Sequence, residues 1–135
     1  MTELNRWPAD KVQRRSISDL VPYSNNSRTH SDKQIDQIAA SIKEWGWTIP
    51  ILIDEQNGII AGHARVKAAQ KLKIKDAPCI VCAGWSKAQR KAYLIADNKL
   101  AENAGWDEDL LALELEDLTE FGFEIDLLGF DHGEL

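Results

Sequence analysis

Long apolar runs are missing from this chain of 135 residues. The N-terminal sequence MTELNRWPADKVQRRS has no apolar core of signal-peptide length, and no later run approaches the roughly 18 residues that a membrane span requires. These absences argue against an exported protein and against a membrane partner. We therefore expect a cytoplasmic location.

Cysteine is also scarce. The two cysteines, Cys79 and Cys82, have C-x-x-C spacing, but their context APCIVCAGW is typical of a buried strand rather than of a turn that opens a helix. We interpret them as small buried hydrophobic residues in a reducing compartment, and we expect neither a disulfide nor a zinc site. A chain of this length can bury a modest core without such crosslinks.

Basic residues are absent from the last part of the chain. Residues 1–99 contain all 16 Lys and Arg against 10 Asp and Glu, whereas residues 100–135 contain 12 acidic residues and no basic one. The two regions therefore carry formal charges of +6 and −12, which add to the net −6 of the chain. The first region either faces a polyanion such as DNA or is an ordinary solvated surface, and the acidic region cannot face a polyanion.

The order of strand and helix patterns predicts an α+β domain, in which a small mixed β-sheet packs with helices. Capping boxes at Ser31 and Ser86, an Asn57-Gly58 turn and an N-cap at Asp107 mark the elements. Strands are predicted near 12–17, in the two halves of IPILIDEQNGIIAG and at 78–83, and helices at 32–45, 63–72, from Ser86 to about 102 and after Asp107 as far as Gly122. We expect residues 1–105 to form this domain and residues 106–135 an acidic helical C-terminal extension.

Apolar periodicity predicts the buried faces of these helices. The helix at 32–45 is expected to bury one face, and the helix at 63–72 is expected to bury Val66, Ala69 and Leu72. Trp47 is the tryptophan that we expect to line a pocket. The predicted apolar positions of the first and last helices are Ile35, Ile38, Ile42 and Trp45, and Leu110, Leu111, Leu113, Leu118 and Phe121.

The segment GIIAGHARVKAAQKL carries the clearest chemical pattern. A strand that enters a helix through Gly62 presents free backbone N–H groups at the positive end of the helix dipole, where an anion binds. Gly62 would let the backbone approach the ligand, Arg65 can bind two phosphate oxygens, and His63 can donate to the same anion or move a proton. The alternative is that His63 is an ordinary helix residue and Arg65 a solvated one.

An ordered series of motifs resembles the N-terminal domain of the ParB partition-protein family, whose fold is shared with sulfiredoxin. The series is an Asn-x-Arg loop at Asn26 to Arg28, an I-x-x-L-A-x-S-I-like helix, G-x-x-x-P-I at Gly46 to Ile51, an apolar hairpin and a G-x-x-R box at Gly62 to Arg65. The resemblance covers about residues 12–83. It implies the ParB/sulfiredoxin-like fold, DNA binding, and a nucleoside triphosphate with Mg²⁺ as ligand.

The resemblance also implies which residues contact the nucleotide phosphates. They are Gly62, His63, Ala64 and Arg65 in the box, and Asn26 and Arg28 in the loop that faces the same pocket. Partition proteins read G-E-R-R at the box, sulfiredoxin places a cysteine there, and free-serine kinases of this fold place an acidic residue where this chain has Ala61. The chain therefore lacks the sulfiredoxin nucleophile and one carboxylate of the kinases.

The sequences AYLIADNKLAENAGWDEDLLALELEDL and DLLGFD are similar to a bacterial and phage branch in which this domain precedes a DNA methyltransferase domain. No methyltransferase motif fits within the chain. The expected partners are therefore DNA, a nucleotide, a methyltransferase domain in the same or another chain, and a second copy of this chain.

Two functional classes follow. The first is a nucleotide- and DNA-associated binding module that serves DNA modification or partition. The second is an enzyme of the same fold, a Mg²⁺-dependent nuclease or a small-molecule phosphotransferase. Its candidate catalytic residue is His63, and its candidate metal ligands are Asp97, Asn98 and Glu102 on one helix. We favour the binding module and leave the enzyme as the alternative.

Overall fold

The computed structural model of the protein describes residues 7–23 and 29–130. The chain packs as two compact units, residues 1–97 and 98–135. The division falls earlier in the chain than the domain boundary predicted after residue 105, and that domain assignment stays a prediction. Among the described residues, no helix is long and apolar enough to span a membrane.

The helices follow the predicted capping signals closely. Helix α1 spans Asp32–Trp45, α2 spans His63–Lys71, α3 spans Lys87–Asn103 and α4 spans Glu108–Glu120. The Ser31 hydroxyl accepts the N–H of Gln34 at 3.1 Å. Both bonds of the second capping box form, because the N–H of Ser86 reaches the side chain of Gln89 at 2.8 Å and the Ser86 hydroxyl accepts from Gln89 at 3.1 Å.

Four strands form one mixed sheet in the first unit, in the order β1-β4-β2-β3. The strands are β1 (Gln13–Ser16), β2 (Ile51–Ile53), β3 (Ile59–Ala61) and β4 (Asp76–Val81). β1 and β3 pair antiparallel with their neighbours, whereas β4 runs parallel to β2. The parallel pair needs a crossover connection, and α2 lies in it. The α+β fold expected from the sequence is confirmed.

The β2–β3 turn is held by a single carboxylate. Asp54 Oδ1 accepts the N–H groups of Gln56 and Gly58, each at 2.8 Å, and Asn57 adopts φ +66°. A Cβ on Gly58 would lie only 2.6 Å from Asp54 Oδ2, so a larger residue there would displace this carboxylate. Val21 extends the sheet beside this turn, because its N–H donates to Asn57 at 2.9 Å and its carbonyl accepts from Ile59 at 2.8 Å.

Side chains pack on both faces of the sheet. The largest buried cluster joins the sheet to α2 and to the segment after β1, and a second cluster joins α1 to α2. On the opposite face, Ile60, Ile80 and Cys82 pack under Trp85 and Tyr93, which come from the start of α3 and the residues before it. Trp85 and Tyr93 have ring centroids 5.2 Å apart. The first unit is thus a sheet between two helical layers.

Several predicted burial assignments are wrong. Trp45 is 48% exposed, because the α1 face in contact with α2 ends at Ile42. In the second unit, Leu110, Leu113 and Phe121 are 58% to 85% exposed, so these three do not form a buried face of α4. Trp47 packs against the main core and donates to the carbonyl of Ile49 at 2.8 Å.

Candidate phosphate-binding site

Gly62 forms the junction between β3 and α2. Its φ is +107°, a left-handed value that other residues adopt only with strain. A Cβ at this position would lie 2.5 Å from Cδ1 of Ile51. The requirement for glycine therefore comes from chain reversal and core packing, whereas the sequence alone indicated close approach of a ligand.

The N-terminus of α2 has no side-chain cap. The first backbone bond into the helix runs from the N–H of Val66 to the carbonyl of Gly62, at 3.1 Å. The N–H groups of His63, Ala64 and Arg65 precede this bond and have no acceptor within the helix. They lie at the positive end of the helix dipole, which suits a phosphate group.

Arg65 lies in the first turn of α2 and is half-buried. Its guanidinium makes no hydrogen bond or ion pair with any residue in the ranges that the structure describes. A partly desolvated guanidinium without an internal anion is suited to bidentate contact with a phosphate from outside.

His63 is buried, with 8% of its surface exposed. Its Nε2 accepts the backbone N–H of Tyr23 at 3.0 Å. Burial lowers the pKa of His63, and the nearby charges of Lys67 and His30 lower it further. The ring is therefore neutral near pH 7, and the nitrogen that faces Tyr23 accepts a hydrogen bond instead of donating one to an anion.

The loop that the resemblance assigns to the same pocket includes residues 24–28, between the described residues Tyr23 and Thr29. Asn26 and Arg28 lie outside the described residues, so their role stays a prediction. Beyond the loop, His30 Nδ1 lies 2.9 Å from the Oε1 of Gln34 in α1. Tyr23 and His30, which are described on either side of these residues, are thus each held by a hydrogen bond that involves a histidine side chain.

The candidate metal ligands Asp97, Asn98 and Glu102 lie on α3. Within residues 7–23 and 29–130, no group of three or more His, Cys, Asp or Glu side chains is arranged to hold a metal ion. Asp97 and Glu102 are exposed. Burial raises the pKa of the Tyr93 hydroxyl, and the carboxylate of Asp97 raises it further. A metal role for Asp97, Asn98 and Glu102 stays a prediction.

The two cysteines are buried and unpaired, and they belong to different clusters. Cys79 packs in the cluster that contacts α2, and Cys82 packs in the cluster that contacts α3. Burial raises the pKa of both thiols. The side chains at these positions lie on opposite faces of the sheet, so the C-x-x-C spacing does not bring them together.

Comparison with known proteins identifies the family. A profile of the ParB N-terminal domain matches residues 1–98. The chain belongs to the ParB N-terminal domain family. The match spans the sheet, α1, α2 and most of α3, so it includes the Gly62–Arg65 box.

Two curated relatives match this chain over different lengths. The ParB-like nuclease domain-containing protein YnaK of Escherichia coli is 48% identical over 81 residues, which are 60% of this chain and 93% of YnaK. The nucleoid occlusion protein of Bacillus cereus is 27% identical over 127 residues, which are 87% of this chain and 43% of that protein. This chain therefore spans less than half the length of the nucleoid occlusion protein.

A solved structure shows the same fold. The C-terminally truncated chromosome-partitioning protein ParB of Caulobacter crescentus, complexed with CTP-γ-S, superposes with a TM-score of 0.70 at 24% identity, over 82% of this chain and 63% of that chain. The same protein complexed to the centromeric parS site gives a TM-score of 0.53 at 22% identity, over 83% of this chain and 60% of that one. These matches confirm the predicted ParB-like fold.

Sequence reasoning located the box but missed the contact that orients it. The partner of His63 is a main-chain N–H located 40 residues earlier, and main-chain groups leave no trace in residue identity. It also missed Arg90, which donates to the carbonyl of Trp85 at 2.8 Å and lies 3.8 Å from Asp54. An arginine one turn after a capping serine was the only available signal for that bond.

Proposed function

We propose that this chain is a ParB-type binding module that holds the phosphates of a nucleoside triphosphate at the N-terminus of α2 and associates with DNA. The observation that carries the proposal is an uncapped helix N-terminus beside Arg65, a half-buried arginine with no partner among the described residues. Both features fall within the segment that matches the family. Helix N–H groups and a free guanidinium are complementary to phosphate oxygens.

The nucleotide part of the proposal is supported by the Caulobacter protein, which was crystallised with CTP-γ-S. In this chain the N–H groups of His63 and Ala64 and the side chain of Arg65 would hold the phosphates. Asn26 and Arg28 would approach from the loop. Mg²⁺ is commonly bound through one or two carboxylates together with substrate phosphates, and Asp97 is our candidate for one of them.

The DNA part is supported by the charge distribution and by the relatives. Residues 1–99 carry a formal charge of +6, and the Caulobacter protein was also crystallised on the parS site. A DNA methyltransferase partner, a second copy of the chain, a phage or prophage origin and a cytoplasmic location belong to this proposal as well. The partner that the chain binds would decide whether it acts in partition or in DNA modification.

Calorimetry tests the nucleotide part. The full chain is titrated with CTP, ATP, GTP and UTP, each with and without Mg²⁺ and duplex DNA. We expect saturable binding of at least one triphosphate. If none of the four binds under any of these conditions, the phosphate site is refuted.

Salt dependence tests the DNA part. Association that depends on phosphate contacts releases counterions, so the affinity for duplex DNA should fall steeply between about 50 and 200 mM salt. Removal of the acidic residues after Trp106 should not weaken this association, provided that circular dichroism shows the truncated chain to be folded. An affinity that is independent of salt would show the basic excess to be a solvated surface.

The alternative function is catalytic, and the name of YnaK refers to a nuclease domain. The Nε2 of His63 already accepts the N–H of Tyr23, and this engagement favours a binding role over proton transfer by that nitrogen. We expect the full chain to show no appreciable DNA cleavage or phosphoryl transfer with Mg²⁺ or Mn²⁺. Robust activity that falls by roughly 100-fold in His63→Gln would establish the enzyme instead.

A further inference from the structure

A cavity lies within the first unit, at the start of β3, whereas the Gly62–Arg65 box follows the end of that strand. Its volume is about 190 Å³. Its floor is apolar and includes Ile60 and Leu94, and one wall is formed by residues 21–23. An apolar protein cavity of about 150 Å³ is large enough to bind benzene. This cavity therefore has room for one aromatic ring or a branched aliphatic group of similar size.

The other wall is cationic. Lys87, Arg90 and Lys91 line the cavity from α3, and Asp54 is the single acidic residue in the part of the lining that the structure describes. Asp54 is already engaged, because Oδ1 accepts two backbone N–H groups and Oδ2 lies 3.8 Å from Nε of Arg90. Lys87 and Lys91 have no hydrogen bond or ion pair with any described residue. The cavity thus offers uncompensated positive charge beside an apolar floor.

The walls are fixed in place before any ligand arrives. The Val21 main chain bonds to Asn57 and Ile59 on the hairpin, and the Tyr23 N–H bonds to His63. Arg90 ties the start of α3 to the carbonyl of Trp85. Binding sites for small molecules are commonly preformed, apolar and equipped with a few directed polar groups.

We propose that this cavity is a second ligand site, which takes a compact amphipathic anion: a single ring or branched alkyl group that carries one carboxylate. The apolar group would occupy the floor formed by Ile60 and Leu94. The carboxylate would face Lys87 and Lys91 at the rim. The proposal is independent of the nucleotide site, because none of its lining residues belongs to the Gly62–Arg65 box.

The test is a methyl NMR titration of the full chain with benzoate, and with benzyl alcohol as a neutral probe that has the same ring. Benzoate should shift the methyl resonances of Ile60 and Leu94 saturably, with a dissociation constant on the order of 1 mM. Methyl groups of the α1–α2 cluster, such as those of Ile35 and Ile42, should not move. Benzyl alcohol should bind more weakly.

Charge variants separate anion recognition from apolar binding. Lys87→Gln combined with Lys91→Gln should weaken benzoate binding by about threefold to tenfold and leave benzyl alcohol binding unchanged. The matched control is Lys73→Gln with Lys75→Gln, which removes the same charge from exposed positions away from the cavity. Arg65→Ala should also leave benzoate binding unchanged.

Three outcomes would overturn the proposal. The first is the absence of methyl shifts at about 10 mM benzoate, well above the expected dissociation constant. The second is equal affinity for benzoate and benzyl alcohol together with no effect of the lysine substitutions, which would leave an apolar cavity without anion recognition. The third is a peptide of residues 123–130 that shifts the methyl resonances while benzoate does not, which would make the cavity a docking site for an acidic segment.

Discussion

The two units of the chain differ in how their apolar residues are used. Among the described residues, every buried side chain lies at or before Leu94, and none lies in the described part of the second unit. Helix α4 is nevertheless rich in leucine, and Leu113 is 58% exposed. An apolar pattern therefore predicts the helix but not a core, because a buried face also requires a layer on which to pack.

The two units are also stabilised by different interactions. The first unit is stabilised by a sheet that is covered on both faces. In the second unit, helix α4 begins where Asp107 Oδ1 accepts the N–H of Leu110 at 3.1 Å, and the chain reverses at Gly122 with φ +82°. Trp106 and Phe130, with ring centroids 5.6 Å apart, supply an aromatic contact within that unit. We expect global stability to reside in the first unit.

Truncation of a large apolar side chain should show the largest difference in stability effect between the two units. Ile53 is fully buried in the main cluster, so Ile53→Ala should lower the free energy of unfolding by about 2–5 kcal/mol. Leu113→Ala in α4 should change it by less than about 0.5 kcal/mol. Urea denaturation followed by circular dichroism measures both. Equal effects would contradict the proposed difference between the units.

Glycine substitutions should separate backbone strain from loss of core packing. Gly62→Ala combines a left-handed φ with a clash against Ile51, and should lower the free energy of unfolding by about 2–4 kcal/mol. Gly46 has φ +78° but no neighbour within 4 Å, so Gly46→Ala should show only the strain of about 1–2 kcal/mol. Gly105→Ala in the second unit is the unstrained control. The same denaturation experiment ranks them, and any other order would refute the packing explanation for Gly62.

Acid should weaken the first unit through His63. Its pKa is lower in the folded chain than the ordinary value of about 6.5 in the unfolded chain. The contribution of neutral, buried His63 to the stability of the fold is therefore fully present above pH 6.5. It is lost as the pH falls from there through the folded-state pKa. In His63→Gln, the side-chain oxygen can still accept from Tyr23 but does not titrate. The variant should show a smaller loss of stability than the parent between pH 7.5 and pH 5.5, and identical pH profiles would exclude this role.

Removal of the two N-caps should give the smallest and most local difference in stability between the two units. The bond from Ser31 to Gln34 and the bond from Asp107 to Leu110 are each 3.1 Å long. Ser31→Ala should lower the global free energy of unfolding by about 1 kcal/mol, because α1 packs into the core. Asp107→Ala should speed amide hydrogen exchange within α4 without changing the global value. A global loss in Asp107→Ala would show that the second unit unfolds together with the first.

Local signals predicted the elements well. Helix α1 begins and ends where the Ser31 cap and Gly46 indicated, and the Asn57-Gly58 hairpin is present. β4 begins two residues before the predicted range, at Asp76, because its first residues are fixed by pairing with β1 and not by their own apolar character. Register with a distant strand cannot be seen in a local pattern.

The candidate site was predicted less completely. Gly62 and Arg65 could be singled out because a glycine between strand and helix and a nearby arginine are local signals. The burial and hydrogen bonding of His63 could not be predicted, because its partner is the main chain of Tyr23 and its burial depends on packing across 40 residues. The exposed Trp45 shows the same limit, since helical periodicity does not tell where a neighbouring helix stops.

One pair of arginine variants provides the decisive test of the claim that a phosphate binds at the start of α2. The full chain, Arg65→Ala and Arg14→Ala are titrated by calorimetry with CTP, or with whichever triphosphate the parent binds, in the presence of Mg²⁺. Arg14 is an exposed arginine in β1, so its loss matches the change in charge. We predict that Arg65→Ala remains folded and loses at least about tenfold in affinity, since a charge-assisted bidentate contact contributes about 1.5–3 kcal/mol, whereas Arg14→Ala binds like the parent. Equal affinities for all three proteins would contradict the claim.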